Sequence, residues 1–423
     1  MLQVYKFLTI FLYPILVILV YFRSVFNKED KIRFKEKIFS THFKVLKDNK
    51  KKLVWFHAAS IGECLSIIPL IDELHNKHTN INFLITTVTL SSSRLLEKKL
   101  NQYQHIVHRF FPLDLESLAE SFLRNWNPDL VCFVDSEIWP NFLFKIKEKN
   151  IPLLLINARL TKKSFNKWII VSNFAKKVFN NFDLCLTASE ESKNNLNKLQ
   201  VKNLKYIGNL KYSAQSERDE LQNSNKKVLD NYKTWCAAST HKGEEHIVLK
   251  THLEIKKKYK NILTVIIPRH VNRSYYIKNL SKKFNLNAQI LNDDDLIDSN
   301  VEVLIINSFG VLPKYFDYCK NILIGKSFIK EREDVGGQNP IEAAKLGCKI
   351  FHGPYVYNFQ EVYDLLKSYG IAEETNDEQE LAKKITENFA NPVKTNQQQL
   401  KLLNNYGEKI LKETAMTINT YLR

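Results

Sequence analysis

Glu63 has the residue type and the position expected of a general base. It ends the segment His57-Ala-Ala-Ser-Ile-Gly-Glu63, which joins an apolar run that predicts a strand to an amphipathic run that predicts a helix. Gly62 permits a tight turn, so we expect the carboxylate in or near the first helical turn, where it points into a cleft. A carboxylate there could take a proton from a hydroxyl group. The alternative is a structural role, since Glu in a first turn also stabilises the helix dipole.

Glu137 and Lys211 are the other two candidates for chemistry in the first half of the chain. Glu137 lies in Asp135-Ser-Glu-Ile-Trp-Pro-Asn141, directly after a predicted strand, where it is either functional or a helix cap. Lys211 lies in Gly208-Asn-Leu-Lys-Tyr212, near an expected interdomain cleft, where an ammonium could neutralise a leaving phosphate. The chain has 62 Lys and Arg residues, so a solvated surface Lys is the alternative.

Two segments of the second half have residue types suited to a nucleotide phosphate. Pro268 and Arg269 close a predicted strand, and the forked donors of a guanidinium match phosphate oxygens. The segment 336–344 places two glycines before a helix that Pro340 would begin, and a helix N-terminus offers N–H donors to an anion. Glu342, in its first turn, could accept hydrogen bonds from a ribose. A solvated Arg and an ordinary capped helix are the alternatives.

Alternating strands and helices must position these residues. Apolar runs separated by amphipathic segments predict parallel, doubly wound sheets, in which ligands bind beyond the carboxyl ends of the strands. We therefore expect two Rossmann-like domains facing a cleft: a membrane anchor over 1–30, a first domain over 31–212, a polar linker over 213–227, and a second domain over 228–423 that ends in helices. The predicted strands are 53–58, 81–89, 129–137, 151–158, 182–189, 234–240, 262–269, 301–308, 321–325 and 348–353.

The sequence gives little indication of a metal site. The run 293–295 has the D-x-D spacing of metal-dependent sugar transferases, but it is polar and precedes a predicted strand, so we interpret it as a solvated loop. The six cysteines are dispersed without a C-x-x-C pair and several lie in apolar runs, as expected of buried thiols in a reducing compartment. Phosphate-binding loops of the G-x-x-x-x-G-K-[ST] and G-x-G-x-x-G types are absent from the sequence.

The N-terminus and the net charge predict a membrane partner. Residues 7–22 form an uncharged apolar run, slightly short of a usual bilayer span unless the preceding residues extend it. Basic residues follow this run, so the body is expected in the cytoplasm, with the helix either spanning the bilayer or lying in its interface. A buried helix of a soluble domain is the alternative. The net charge of +17 favours acidic partners, but no signature of nucleic-acid binding accompanies it.

Taken in order from Trp55 to Phe359, these segments resemble the Kdo (3-deoxy-D-manno-octulosonic acid) transferase family, which has two Rossmann-like domains of the GT-B type. The matching blocks are WFHAASIGE, TTVTLSS, FFPLDL, PDLVCFVDSEIWPN, IPLLLINARL, GNLKY, ASTHKGEE, IIPRH, GGQNPIEAA, and GP followed by NF. Ten blocks in order across both domains are specific to this family. The chain departs from the usual family pattern at Lys326, Gln338 and Val311.

The resemblance implies an inverting transfer of Kdo from CMP-Kdo to a lipid A precursor (lipid IVA) at the cytoplasmic side of the cell inner membrane, without a required metal or prosthetic group. By analogy Glu63 is the general base, and Glu137 and Lys211 stabilise the transition state. The positions matching those that hold CMP are Pro268, Arg269, Phe309, Gly310, Val311, Asn339, Pro340, Ile341 and Glu342. Another GT-B transferase or epimerase of nucleotide sugars, and a non-enzymatic, membrane-associated nucleotide-binding protein, stay open as alternatives.

Overall fold

Internal contacts divide the chain into two units. A computed structural model describes residues 1–43, 51–100, 103, 105–214, 221, 223–293, 295–308, 310–330, 336–391 and 397–422. Unit 1 comprises Met1–Gln215 together with Tyr406–Arg423, and unit 2 comprises Ser216–Asn405. The boundary between the units falls inside the predicted linker, which lies partly outside the described residues.

Unit 1 is a parallel sheet with helices packed against it. In the part of the chain that is described, seven strands pair in the order β3-β2-β1-β4-β5-β6-β7, so the chain moves outward from β1 first to one side and then to the other. The strands are β1 (Lys52–His57), β2 (Ile81–Thr87), β3 (Ile106–Phe110), β4 (Leu130–Val134), β5 (Leu153–Ala158), β6 (Leu184–Thr187) and β7 (Leu204–Tyr206). The helices are α1 (Leu2–Val25), α2 (Ile61–Lys77), α3 (Leu90–Leu100), α4 (Glu116–Trp126), α5 (Pro140–Glu148), α6 (Lys162–Trp168), α7 (Ser172–Phe179) and α8 (Glu190–Lys198).

Aromatic side chains fill the core on one face of this sheet. Trp55 of β1 is fully buried, and its ring lies 4.9 Å from that of Phe122 and 5.7 Å from that of Phe133, measured between centroids. Each large side chain buried in this way contributes roughly 1.5–3 kcal/mol to folding. This core packs against β1 and β4, which are neighbours in the sheet. Glu63 follows β1, and Glu137 follows β4.

Unit 2 repeats this architecture. Its described strands pair in the order β10-β11-β9-β8-β12-β13-β14, again parallel throughout. The strands are β8 (Lys233–Thr240), β9 (Ile262–Pro268), β10 (Ala288–Leu291), β11 (Val303–Ile306), β12 (Asn321–Ile324), β13 (Lys349–His352) and β14 (Ala372–Glu374). The helices are α9 (Asn223–Leu229), α10 (Glu244–Lys258), α11 (Ser274–Lys283), α12 (Leu312–Phe316), α13 (Ile341–Lys345), α14 (Gln360–Ser368) and α15 (Glu378–Ala390). A further helix, α16 (Gln397–Asn419), begins in this unit.

Short 3-10 turns complete the secondary structure, at Arg33–Lys37, Ser40–His42, Ile169–Val171, Leu210–Tyr212, Val271–Arg273 and Tyr357–Phe359. All six cysteines are buried and unbridged, as expected from their apolar surroundings. The two-unit α/β fold with parallel sheets and an N-terminal apolar helix is therefore confirmed.

The predicted second domain, 228–423, differs from the observed unit in its C-terminal part. Residues Tyr406–Arg423 belong to unit 1, because the second half of α16 packs against the turn that carries Lys211. The rings of Tyr406 and Tyr212 meet edge to face at 5.2 Å between centroids. The sequence of α16 is polar and no strand follows it, so no sequence pattern indicated that this helix packs against unit 1.

The aspartate run 293–295 precedes a strand, β11, as predicted, but it also follows one, β10, which was not predicted. Strand β10 ends at Leu291 and is only partly buried, so it does not form the continuous apolar run that predicts a buried strand. The Asp293 side chain is exposed, and the Asp295 carboxylate accepts hydrogen bonds from the backbone and side-chain nitrogens of Asn292 at 2.8 and 2.7 Å. Asp294 lies outside the described residues. Asp295 thus closes a local turn.

Candidate active site

Glu63 is the third residue of α2 and belongs to a capping box with Ser60. The Ser60 hydroxyl donates to Glu63 Oε1 at 2.6 Å, and the Ala59 N–H donates to Oε2 at 2.7 Å. Burial raises the pKa of Glu63 to about 7; the Ser60 hydrogen bond opposes this rise, and the carboxylates of Asp135 and Glu137 add to it. Glu63 thus has the structural role that was the alternative, together with a pKa suited to a general base near neutral pH.

Glu137 is held by nitrogen atoms of two side-chain rings. Its Oε2 atom lies 2.9 Å from Trp139 Nε1 and 3.3 Å from His57 Nε2. His57, at the end of β1, is fully buried and stacks on Phe111 at 3.9 Å between centroids. Two ring nitrogens on one carboxylate oxygen leave Glu137 little freedom to turn.

His57 links Glu137 to the core of unit 1 through both of its ring nitrogens. The Thr86 hydroxyl accepts from Trp55 Nε1 at 2.8 Å and lies 3.0 Å from His57 Nδ1, which is also 3.2 Å from the Thr86 carbonyl oxygen. His57 Nε2 lies 3.1 Å from Trp139 Nε1 and 3.3 Å from Glu137 Oε2. A polar network thus runs from Trp55 through Thr86 and His57 to Glu137.

Lys211 forms an ion pair with Asp135. The Lys211 Nζ atom lies 2.8 Å from Asp135 Oδ2, and the two side chains are 17% and 8% exposed. Asp135 directly follows β4 with φ +62°, a left-handed conformation that Asp adopts more readily than most residues. A Cβ atom on Gly62 would lie 3.8 Å from Lys211 Cε, so the Lys211 side chain runs beside the first turn of α2. The structure therefore brings Glu63, Asp135, Glu137 and Lys211 together.

Two asparagines and the middle of α16 fix the turn that carries Lys211. Asn157 accepts the Leu210 N–H at 2.8 Å, and Asn209 accepts the Lys211 N–H at 3.0 Å. A Cβ atom on Gly407 of α16 would lie 2.3 Å from the Tyr212 carbonyl oxygen, so glycine is required for this close approach. Lys211 is thus positioned by the backbone of its turn.

An apolar pocket opens beside Asp135. Apolar side chains of β5, α6, α7 and α8 line it, and Asp135, Ser136 and Arg159 add polar groups. The apolar lining includes Leu155, Leu160, Trp168, Phe179 and Leu196. Such a pocket suits a ligand with an apolar chain attached to a polar group.

The predicted nucleotide positions of unit 2 follow neighbouring strands at one edge of the sheet. Pro268 ends β9 and is buried, whereas Arg269 is exposed. Gly310 and Val311 follow β11, which pairs with β9. Val311 is the buried N-cap of α12, and Phe309 lies outside the described residues.

The helix expected to begin at Pro340 begins at Ile341 and is a single short turn. Pro340 is its N-cap, and Asn339 Oδ1 already accepts the Ile341 N–H at 3.2 Å. A five-residue helix has little dipole, so the prediction that this N-terminus binds an anion loses most of its physical basis. Asn339 is exposed, Glu342 is partly buried, and burial raises the Glu342 pKa.

Glu244 organises this edge of unit 2 and was missed as a site residue. Its buried carboxylate accepts the N–H groups of His241 at 2.8 Å, Lys326 at 2.7 Å, Ser327 at 2.8 Å and Phe328 at 3.1 Å. It thereby joins the loop after β8 to the loop after β12. Next to it, Glu245 accepts both terminal nitrogens of Arg273 at 2.6 and 2.9 Å.

The residues that were missed share a sequence signal. His57 and Asp135 are polar residues at the point where a buried strand ends, and both stood in the segments singled out for Glu63 and Glu137. The pair Glu244-Glu245 opens the helix after β8 in the same way. A buried polar residue at a strand end was therefore a usable signal, although its partners are distant in sequence.

Known proteins resemble this chain in sequence and in fold. Residues 33–214 match the family model of 3-deoxy-D-manno-octulosonic-acid transferase (kdotransferase). The 3-deoxy-D-manno-octulosonic acid transferase of Rickettsia prowazekii is 31% identical over 377 residues, covering 88% of this chain and 80% of that protein. The enzyme of the same name from Haemophilus influenzae is 26% identical, covering 87% of this chain and 85% of that protein. In fold, the crystal structure of UDP-GlcNAc 2-epimerase from Neisseria meningitidis, bound to UDP-GlcNAc, has a TM-score of 0.58 at 19% identity, covering 88% of this chain and 99% of that one.

Proposed function

The chain belongs to the 3-deoxy-D-manno-octulosonic acid transferase family of glycosyltransferases, and we propose that it transfers Kdo with inversion from CMP-Kdo to the lipid A precursor lipid IVA, in lipopolysaccharide core biosynthesis. The observation that carries the proposal is the Glu63 cluster of unit 1. There a carboxyl group with a pKa of about 7 lies in the first turn of a helix, with the Lys211 side chain beside that turn. A base and a cation are what a hydroxyl attack on an anionic sugar donor requires.

In the proposed reaction Glu63 takes the proton of the acceptor hydroxyl as its oxygen attacks the anomeric carbon of Kdo. The new carbon–oxygen bond forms while the bond from that carbon to the phosphate oxygen breaks, and CMP leaves with the bonding electrons. Lys211 and Glu137 stabilise the charges of the transition state, the first as a cation and the second as a carboxylate held by Trp139 and His57. No step of this scheme uses a metal.

The donor nucleotide is proposed to bind unit 2 at the edge where β11, β9, β8 and β12 end. The exposed Arg269 would contact the phosphate, and backbone groups of Gly310 and Val311 would contact the nucleotide together with residues 339–342. The loops that Glu244 holds in place form the floor of this site. At Lys326 and Gln338 the chain departs from the usual family pattern, so different side chains would line this site. The backbone contacts proposed at Val311 do not depend on the type of side chain there.

The acceptor is proposed to be an acylated, phosphorylated lipid at the cytoplasmic side of the inner membrane. The apolar pocket beside Asp135 suits an acyl chain, and the surplus of basic residues suits lipid phosphates. By length and composition α1 could cross a bilayer, the one such helix in the described part of the chain. Its exposed apolar surface supports attachment to a membrane.

Transfer from freshly generated CMP-Kdo to a tetraacylated lipid A precursor tests this proposal. We expect product from the wild type and a loss of activity in Glu63→Gln, which keeps the size and most hydrogen bonds of the carboxyl group. The product mass counts the sugars added. Glu73→Gln, in the same helix but paired with Lys77 on its exposed side, is the matched control and should retain activity.

Two further arms separate the parts of the proposal. A deacylated acceptor should react with a raised KM if the apolar pocket holds an acyl chain, and Trp168→Ala should raise the KM for the acylated acceptor alone. Full activity of Glu63→Gln would move the base to another residue. Absence of product from folded wild type with CMP-Kdo, and product with another nucleotide sugar, would overturn the donor assignment.

A further inference from the structure

The N-terminal helix α1 is docked lengthwise on unit 1 by one polar stripe. The Tyr5 hydroxyl donates to Asp114 Oδ2 at 2.7 Å, and the Lys6 ammonium pairs with Glu116 at 2.7 Å. One turn further, Asn141 Nδ2 donates to Thr9 Oγ1 at 3.2 Å. These contacts hold the first half of the helix against α4 and α5.

The second half of α1 is docked on the same side. The Tyr13 hydroxyl donates to the Ile38 carbonyl oxygen at 2.6 Å. Val20 is 5% exposed and packs in a small cluster with Phe34 and Ile38. Because Tyr5, Thr9, Tyr13, Val17 and Val20 are three or four positions apart, the docked stripe runs about 23 Å along the helix axis.

The remaining circumference of α1 is exposed and apolar. Phe7 and Phe11 are both 67% exposed, and Phe22 is 56% exposed. The other exposed apolar residues of the helix are Val4, Leu8, Ile10, Leu12, Ile15, Ile18, Leu19, Tyr21 and Val25. A contiguous exposed apolar face of this kind marks a site of interaction with a partner or a membrane.

The docked stripe and a membrane crossing exclude each other. A helix that spans the bilayer has hydrocarbon on every side. One side of α1 instead contacts the polar residues Asp114, Glu116 and Asn141. To span, α1 would have to leave these partners. The Lys6 ammonium would lose its carboxylate, and the buried Asp114 would lose the Tyr5 hydroxyl.

Basic residues flank the apolar face at both ends of α1. Beyond its C-terminal end, Lys28, Lys31 and Lys35 are exposed next to Ile32, which is 78% exposed. Near its N-terminal end, Tyr5 contacts Phe174 of α7 at 6.2 Å between ring centroids. The turn before α7 exposes Ile170 by 80%, and Lys163, Lys167, Lys176 and Lys177 around this turn are exposed. Apolar side chains bordered by lysines are complementary to an anionic lipid surface.

We propose that α1 lies in the plane of an anionic membrane, with its apolar face in one leaflet and its polar stripe on unit 1, and that it does not cross the bilayer. This inference rests on the proposed function only in taking a membrane as the partner. The N-terminus then stays on the same side of the membrane as the catalytic body. The anchor thereby holds unit 1, with its acceptor pocket, directly at the lipid surface.

Labelling with a membrane-impermeant maleimide in sealed vesicles tests the proposal on the full-length chain. One variant carries a cysteine in a short hydrophilic extension before Met1, and the other carries Asp293→Cys on the exposed surface of unit 2. The unsubstituted protein, whose six cysteines are buried, gives the background. We expect both variants to be labelled in inverted inner-membrane vesicles and both to be protected in right-side-out vesicles.

Labelling of the N-terminal cysteine from the side opposite to Asp293→Cys would overturn the in-plane arrangement. Recovery of the protein outside the membrane fraction would also overturn it, because the lipid surface would then not be the partner. Kdo transfer measured on the same vesicles reports on the proposed function separately. An active protein with opposite labelling would refute only the arrangement of the helix, and an inactive one with same-side labelling would refute only the reaction.

Discussion

The ammonium of Lys211 lies 2.8 Å from the carboxylate of Asp135, and this ion pair ties the turn after β7 to the loop after β4. The two residues are far apart in sequence and meet because β4 and β7 end at the same edge of the sheet. Lys211 thereby stands beside the first turn of α2, which carries Glu63. The ion pair therefore connects two loops of unit 1, and its lysine places a cation at the proposed reaction centre.

Lys211→Met is expected to lower kcat/KM by about 100-fold or more, the usual effect of removing one group that stabilises transition-state charge. Because it leaves the Asp135 carboxylate without its cation, it should also lower the melting temperature. Lys205→Met, exposed on β7, is the matched control and should change neither quantity. Steady-state kinetics and thermal unfolding measure the two effects.

Asp135→Asn separates the two roles of this pair. It removes the ion pair but keeps the lysine, so we expect a loss of stability with a smaller loss of kcat than in Lys211→Met. Equal losses of kcat in both variants would mean that Lys211 acts through the position of Asp135.

The pH dependence of kcat/KM should report the Glu63 carboxyl group. Its pKa is raised to about 7, so the basic form is lost as the pH falls through 7, and kcat/KM should fall tenfold per pH unit below that value. Ser60→Ala removes the hydrogen bond that favours the ionised form and should move this limb to higher pH. Thr161→Ala removes a comparable hydroxyl cap from α6 and should leave the limb in place.

The same shift in pKa has a consequence for stability, with a defined sign. A folded pKa near 7, against 4.5 for an ordinary Glu, favours the protonated form in the folded state. The contribution of Glu63 to the free energy of unfolding is therefore full below pH 4.5 and decreases as the pH rises to about 7. Glu63→Gln should remove this decrease, which chemical denaturation at several pH values can measure. An unchanged slope would contradict the raised pKa.

Trp139→Phe is expected to lower kcat about tenfold, because a hydrogen bond to a charged group is worth about 1.5–3 kcal/mol and this one holds Glu137. The KM for CMP-Kdo should hardly change, since Trp139 is proposed to act through Glu137 and not on the donor. Trp126→Phe, fully buried in α4, is the control: it should lower the melting temperature and leave kcat unchanged. A matching fall in kcat there would point to a general effect of core packing.

Glu244→Gln is expected to weaken the binding of CMP about tenfold, with a reduced melting temperature. The amide offers one acceptor oxygen where the carboxylate accepts four backbone N–H groups, so the loops after β8 and β12 lose part of their connection. Titration calorimetry with CMP measures the change. Glu254→Gln, partly exposed on the same helix and paired with Lys257, should bind CMP as the wild type does. A similar loss in both variants would indicate a general effect of charge.

Sequence patterns predicted the central strands of both sheets and missed the edges. Strands such as β1, β4 and β9 are buried on both faces, so they appear as continuous apolar runs. The four missed strands, β3, β7, β10 and β14, are the outermost strands of the two sheets as described. An edge strand is covered less completely, and its mixed composition resembles that of a loop.

The sequence by itself determined the fold class, the family and the segments that carry Glu63, Glu137 and Lys211, because these depend on local periodicity and on short motifs. The tertiary structure alone decided which residues surround them. In it Lys211 forms an ion pair with Asp135, and His57 and Trp139 contact Glu137. Glu244 joins two loops of unit 2. The tertiary structure also assigned the end of α16 to unit 1 and docked α1 by a polar stripe. These pairings join residues that are distant along the chain, and they follow from the order in which parallel strands meet, which no local pattern encodes.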